Sequence, residues 1–190
     1  MEQTILNRRN KIHPWRFALW AGCASIMMMF AAWSSAYVVR QAAGNWVEFK
    51  IPNMFFISTA VIVLSSITIQ LSFINFKKGN EALYKSLLIA SFLLGLLFVG
   101  LQYQGWIQLK SIGIPLTLNP SGDFFYVLTG FHAAHVLGGI AVLVVALSHA
   151  FGLKFQPTQK RKLRFELTIT YWHFVDFLWI YLLTFLILQS

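Results

Sequence analysis

Charge is scarce in this sequence, and acidic charge scarcest of all. Charged residues fill 11% of its 190 positions, and 6 Asp and Glu stand against 15 Lys and Arg. A soluble domain carries about 25% charged and roughly 45–50% apolar residues, whereas 57% of this chain is hydrophobic. A surface solvated by water is therefore excluded for most of it. Cysteine is nearly absent, with Cys23 as the one copy. It can form no internal disulfide and no thiolate metal site, and it reads as a small packing residue in an apolar run. There is no phosphate-binding glycine loop, no nucleophile elbow, no zinc-protease pattern and no paired-cysteine motif, which excludes a self-sufficient soluble enzyme. The period-2 alternation of a membrane barrel strand is missing too.

What the sequence does contain is long, continuously apolar runs. Five are long enough to cross a hydrocarbon core of about 30 Å, which takes about 20 helical residues. They cover roughly 17–39, 51–76, 86–109, 124–153 and 167–190. The first is preceded by a basic tail, as in a signal peptide, but exceeds the apolar stretch of about 7–15 residues that such peptides use. It is read as a retained spanning helix. The expected architecture is an all-α membrane protein, one transmembrane domain over 1–190. Short loops make consecutive helices antiparallel neighbours.

The net charge of +9 would suggest nucleic acid in a soluble protein. Here its distribution carries topology instead. One side of the five spans collects Arg8, Arg9, Lys11, Arg16, Lys77, Lys78, Lys85, Lys154, Lys160, Arg161, Lys162 and Arg164, and the other only Arg40, Lys50 and Lys110. The excess places the N-terminus inside and the C-terminus outside. Pro52 fits the start of the second span, and Ser121 or Asp123 can cap the fourth. Pro157 lies in a basic loop before the fifth. Trp15, Trp46 and Trp106 fit an interfacial aromatic belt.

Ionisable groups inside spans are costly and face the protein interior. The fourth span holds His132 and His135, three apart on one face; His149 lies near its inner end, and His13 falls in the solvated basic tail. The fifth holds His173 and Asp176, also three apart. At a rise of about 1.5 Å per residue, His135 lies about 16 Å from its entry and Asp176 about 14 Å from the opposite one. Both then sit near the midplane, where Asp176 can pair with His135 or His132. Three readings stay open: a structural polar clamp, a proton-conducting element, or a haem or metal site. Gly130, Ala134 and Gly138 form a stripe that permits close helix packing in lipid.

Two segments carry a resemblance. Phe131-His132-Ala133-Ala134-His135-Val136-Leu137-Gly138-Gly139 resembles Phe-His-x-x-His-Val-x-x-Gly. Tyr171-Trp172-His173-Phe174-Val175-Asp176 with Trp179 resembles Tyr-Trp-His-Phe-Val-Asp-x-x-Trp. Both patterns belong to subunit III of the haem-copper terminal oxidases, in the same order on the last two helices. The segment Leu101–Trp106 also looks like bacterial members, and five spans match the short form of the family.

The resemblance implies a non-catalytic subunit beside subunits I and II of a proton-pumping oxidase in the bacterial cytoplasmic membrane. It implies a place in aerobic electron transport, extending to a larger respiratory supercomplex, and no nucleic-acid partner. It implies no haem, copper or other metal on this chain, those centres lying in the catalytic subunit, and it implies bound phospholipid. His132, His135, His173 and Asp176 then form a structural cluster without catalytic role. The family's membrane-embedded Glu has no counterpart between Phe17 and Val39. The competing reading is a small membrane cytochrome that binds haem and carries electrons.

Overall fold

The computed structural model describes residues 13–117, 119–156 and 158–189. Arg8, Arg9, Lys11, Pro157 and Ser190 lie outside them. Among the described residues there are five helices and no strand: α1 Pro14–Ala42, α2 Asn53–Lys78, α3 Glu81–Ser111, α4 Pro120–Gly152 and α5 Gln159–Leu188. All five are long and apolar enough to cross a membrane.

The helices that start at Pro14, Pro120 and Gln159 each begin at a side-chain cap. His13, expected to be solvated, accepts the Trp15 N–H at the start of α1. Pro52 stands just before α2 as its N-cap residue. On α4 the cap is neither Ser121 nor Asp123. Asn119 accepts the Ser121 N–H at 2.9 Å with Pro120 at the first helical position, a favoured pairing. The Ser121 hydroxyl instead donates to the Val47 carbonyl, and Asp123 accepts the Thr117 N–H. Thr158 caps α5, so Lys160, Arg161, Lys162 and Arg164 are helical rather than looped. Between α2 and α3 only Gly79 and Asn80 intervene, and the left-handed φ of +81° at Gly79 suits a residue without Cβ.

Helices α2, α3, α4 and α5 close a four-membered ring, and α1 lies outside it against α4 and α5. The ring's seam is written in spacings of three and four. Buried positions on α2 are Phe55, Ser58, Ile62, Ser65, Ile69, Ser72 and Phe76, with Phe73 beside them. On α3 they are Tyr84, Leu88, Ser91, Gly95, Phe98, Gln102, Gly105 and Leu109. That repeat is the heptad of left-handed helix packing. Lipid tails are as apolar as leucine, so contact and interhelical hydrogen bonds hold such helices together. Serines on α2 let α3 come close and supply those bonds. Ser65 donates to the Ser91 carbonyl, Ser72 to the Tyr84 carbonyl, and the Gln102 amide to Ser58.

Helix α1 is held largely by rings. Tyr37 meets Trp46, Phe124 and Phe185 edge-on, and Trp33 stacks on Phe131. Arg16 and Glu166 pair at 2.8 Å at one end, and Gln41 donates to the Gln189 carbonyl at the other. Trp15 is 68% exposed, as a belt residue would be. Trp106 is not: its indole donates inward to Thr129 at 3.0 Å. Cys23 is buried and free.

Candidate functional site: the polar interior of the ring

The ring's centre is organised by two tryptophans seven residues apart on α5. Trp172 donates to Ser65 at 3.1 Å and Trp179 to Thr59 at 2.9 Å, both hydroxyls on α2. Their rings need space on the opposite helices. A Cβ placed on Gly95 would come within 2.8 Å of the Trp172 ring, and one on Gly139 within 3.0 Å. Close helix approach onto Trp172 therefore runs through Gly95 and Gly139.

The stripe of Gly130, Ala134 and Gly138 lies on the other side of α4. A Cβ at Gly130 would meet nothing within 4 Å, one at Gly138 only the Tyr171 hydroxyl at 3.6 Å, and Ala134 is exposed. One step along a helix turns a residue by about 100°, which separates Gly138 from Gly139.

Asp176 and His132 face the centre. His132 is 0% exposed, and its ring lies 5.0 Å from the Trp179 ring and 5.9 Å from that of Phe98. Asp176 is 5% exposed, one helical turn from both tryptophans, beside Val136 and Gly139. The expected hydrogen bond between them is not made. Both ring nitrogens of His132 and both oxygens of Asp176 lack a partner. The imidazole lies instead against an aromatic wall.

The other two histidines turn away. His135 Nδ1 engages the Phe131 carbonyl at 2.7 Å, and its ring meets Phe30 of α1. His173 reaches α2, with Nδ1 at 2.6 Å from the Ser66 hydroxyl and Nε2 at 3.1 Å from Gln70. With the Gln70 oxygen as acceptor, Nε2 carries the proton and Ser66 donates to Nδ1. Among the described residues, no three His, Cys, Asp or Glu side chains are grouped as a metal site needs.

The four residues thus point three ways and tie α4 and α5 to α1, α2 and the centre. Sequence reasoning missed the hydroxyl and amide partners, Ser58, Thr59, Ser65, Ser66, Gln70 and Gln102. The seven-residue spacing of Ser58, Ser65 and Ser72, repeated by Trp172 and Trp179, was the available signal.

Comparison with known proteins decides the family. The sequence model of cytochrome c oxidase subunit III matches residues 23–189. The chain belongs to that family. It is 32% identical over 186 residues to the probable cytochrome c oxidase subunit 3 of Nocardia farcinica, covering 92% of this chain and 86% of that protein. Cytochrome c oxidase subunit 3 of Corynebacterium diphtheriae is 31% identical over 162 residues, 81% of this chain and 78% of its own length. The protein of that name from Rattus norvegicus is 32% identical over 126 residues, 66% of this chain and 46% of its own. The matched region takes in both histidine segments and nearly all of the bundle. The chain is a non-catalytic oxidase subunit III, a multi-pass membrane protein that associates with other oxidase subunits. Nothing among these relatives supports the small haem-binding cytochrome.

Proposed function

We propose that the chain is the accessory bundle flanking the catalytic subunit of a proton-pumping haem-copper oxidase in a bacterial cytoplasmic membrane. The N-terminus and 12 of the 15 basic residues face the cytoplasm, as the excess of positive charge on cytoplasmic loops demands. Oxygen is reduced to water at haem and copper held by subunit I, and this chain holds neither. Its neighbours are subunits I and II and membrane phospholipid, within a larger respiratory supercomplex. It supports assembly, stability and proton uptake of the catalytic subunit. Helix α1 carries no carboxylate between Phe17 and Val39, so this support acts by keeping the neighbouring subunit's surroundings in place.

The observation that carries this reading is the family match across 23–189. The bundle interior supports this reading: His132, His135 and Asp176 pack against neighbouring side chains, and His173 hydrogen-bonds across to α2. The stripe of Gly130, Ala134 and Gly138, which meets only the Tyr171 hydroxyl among this chain's own helices, offers a neighbouring subunit a close packing surface. The test is purification of the tagged chain from membranes of aerobically grown cells, followed by an inventory of co-eluting subunits. Subunits I and II are expected; a chain that elutes without them overturns the proposal.

A further inference from the structure

We propose that the edge where α2 meets α5 docks a transmembrane helix of a neighbouring oxidase subunit, and that this helix brings a hydrogen-bond acceptor to the side-chain amide of Gln70. The inference rests on the proposed function, which supplies such a neighbour, and adds the face that it uses. That face lies on other helices than the small-residue stripe of α4.

On α2 the basic residue nearest to Gln70 is Lys77, and on α5 the one nearest to His173 is Arg164. At a rise of about 1.5 Å per residue, Gln70 and His173 lie about 10 Å and about 14 Å beyond these cations, inside a hydrocarbon core of about 30 Å. Gln70 is nevertheless exposed and His173 half-buried. His173 Nε2 donates to the Gln70 oxygen at 3.1 Å, and the Ser66 hydroxyl donates to Nδ1 at 2.6 Å. The imidazole is thus satisfied at both nitrogens. The Gln70 amide nitrogen is not: it offers N–H donors, and among the described residues it finds no acceptor. Its side chain cannot turn toward the cytoplasmic headgroups without breaking the bond to His173.

Hydrocarbon contains no acceptor, and a polar group left bare in it is costly. Helices in lipid remove that cost by hydrogen bonding across an interface. The surroundings of Gln70 suit a helix. Ile67 and Ile74 stand one turn to either side of it on α2, and Phe177 one turn beyond His173 on α5, all exposed. They frame the amide with apolar surface that a second helix can cover. Exposed hydroxyls elsewhere in the spans make no such demand, since Ser25 and Ser148 donate to carbonyls of their own helices. The outward middle of α3 supplies the contrast. Ile89, Leu93, Leu96 and Leu97 are exposed there, and lipid tails satisfy them fully.

The experiment uses the assembled oxidase in its native membrane. Photoreactive benzoylphenylalanine is introduced in place of Phe177, of Ile67 or, as a control, of Leu93, and the products of irradiation are mapped by mass spectrometry. The probes at 177 and 67 are expected to cross-link to a membrane-spanning segment of another oxidase subunit, and the probe at 93 to lipid. Gln70→Leu should lower the share of this chain retained through purification about threefold, the effect of one interhelical hydrogen bond in lipid. Leu93→Ala should leave retention unchanged. Adducts to lipid alone at 177 and 67 overturn the proposal, as do adducts to a second copy of this chain or native retention of the Gln70→Leu variant. Any of these in an oxidase that still contains this chain defeats the docking face alone, whereas a native chain that fails to co-purify defeats the proposed function.

Discussion

Trp172 of α5 lies directly on Gly139 of α4, so that a Cβ added to that glycine would stand 3.0 Å from two carbons of the indole. On the facing helix Gly95 meets the same ring more closely still, at 2.8 Å. The indole cannot yield, because its N–H is fixed to Ser65.

Alanine at Gly95 therefore forces a rigid ring and a helix apart. Gly95→Ala should destabilise the bundle by about 1–3 kcal/mol, the usual cost of overpacking. Gly100→Ala, on the same helix where a Cβ meets nothing within 4 Å, should be neutral or slightly stabilising. Thermal unfolding of the purified chain in detergent compares the two. Equal effects would show that Trp172 does not set the spacing.

Asp176 is the next test. Its carboxyl is buried beside Val136 and Gly139 without a partner for either oxygen. Asp176→Asn keeps the shape and should assemble nearly as the native chain does. Asp176→Ala leaves a void between Trp172 and Trp179, with a penalty of about 1–3 kcal/mol by analogy with other buried truncations. The alanine variant should be retained less well in the purified oxidase, while the visible spectrum of the metal centres in what assembles stays unchanged. Normal assembly with lost haem absorption would contradict this.

The hydrogen bonds from His173 to Ser66 and Gln70 join α5 to α2 at a half-buried edge. Interhelical polar bonds in lipid average about 0.6 kcal/mol, with a maximum near 1.7. His173→Ala should cost on the order of 1 kcal/mol, and His173→Gln should recover part of it. Denaturant titration in mixed micelles reads the difference.

Helix α1 offers a contrast between two kinds of contact. Arg16 and Glu166 are both about half exposed, and such pairs contribute about 0–1 kcal/mol. Tyr37 is buried among three aromatic rings, and truncating a buried aromatic costs about 3–5 kcal/mol. Protease sensitivity of the α1–α2 connection should rise strongly in Tyr37→Ala and scarcely in Arg16→Gln.

The sequence shows the number of helices because apolar length is a property of composition, readable without knowing what touches what. The patterns around His132 and His173 show the family for the same reason: they are strings of residue types. Direction around a helix is different. His132 and His135 share a face of α4, yet one packs on Trp179 and the other on Phe30, because α1 wedges beside α4 and divides that face between two neighbours. Gly138 and Gly139 are adjacent letters, and only the position of Trp172 distinguishes the one that packs. Asn119 took the cap from Ser121 and Asp123 because all three are competent and the loop bonds to Val47 and Thr117 occupy the others.

Central to the proposed function is that this oxidase subunit holds no redox centre of its own. The visible absorption spectrum of this subunit, separated from the purified oxidase by detergent, tests it most directly. The expected result is an empty Soret region in the separated chain, with all haem and copper remaining on the other subunits. A Soret band that scales with this chain would contradict it.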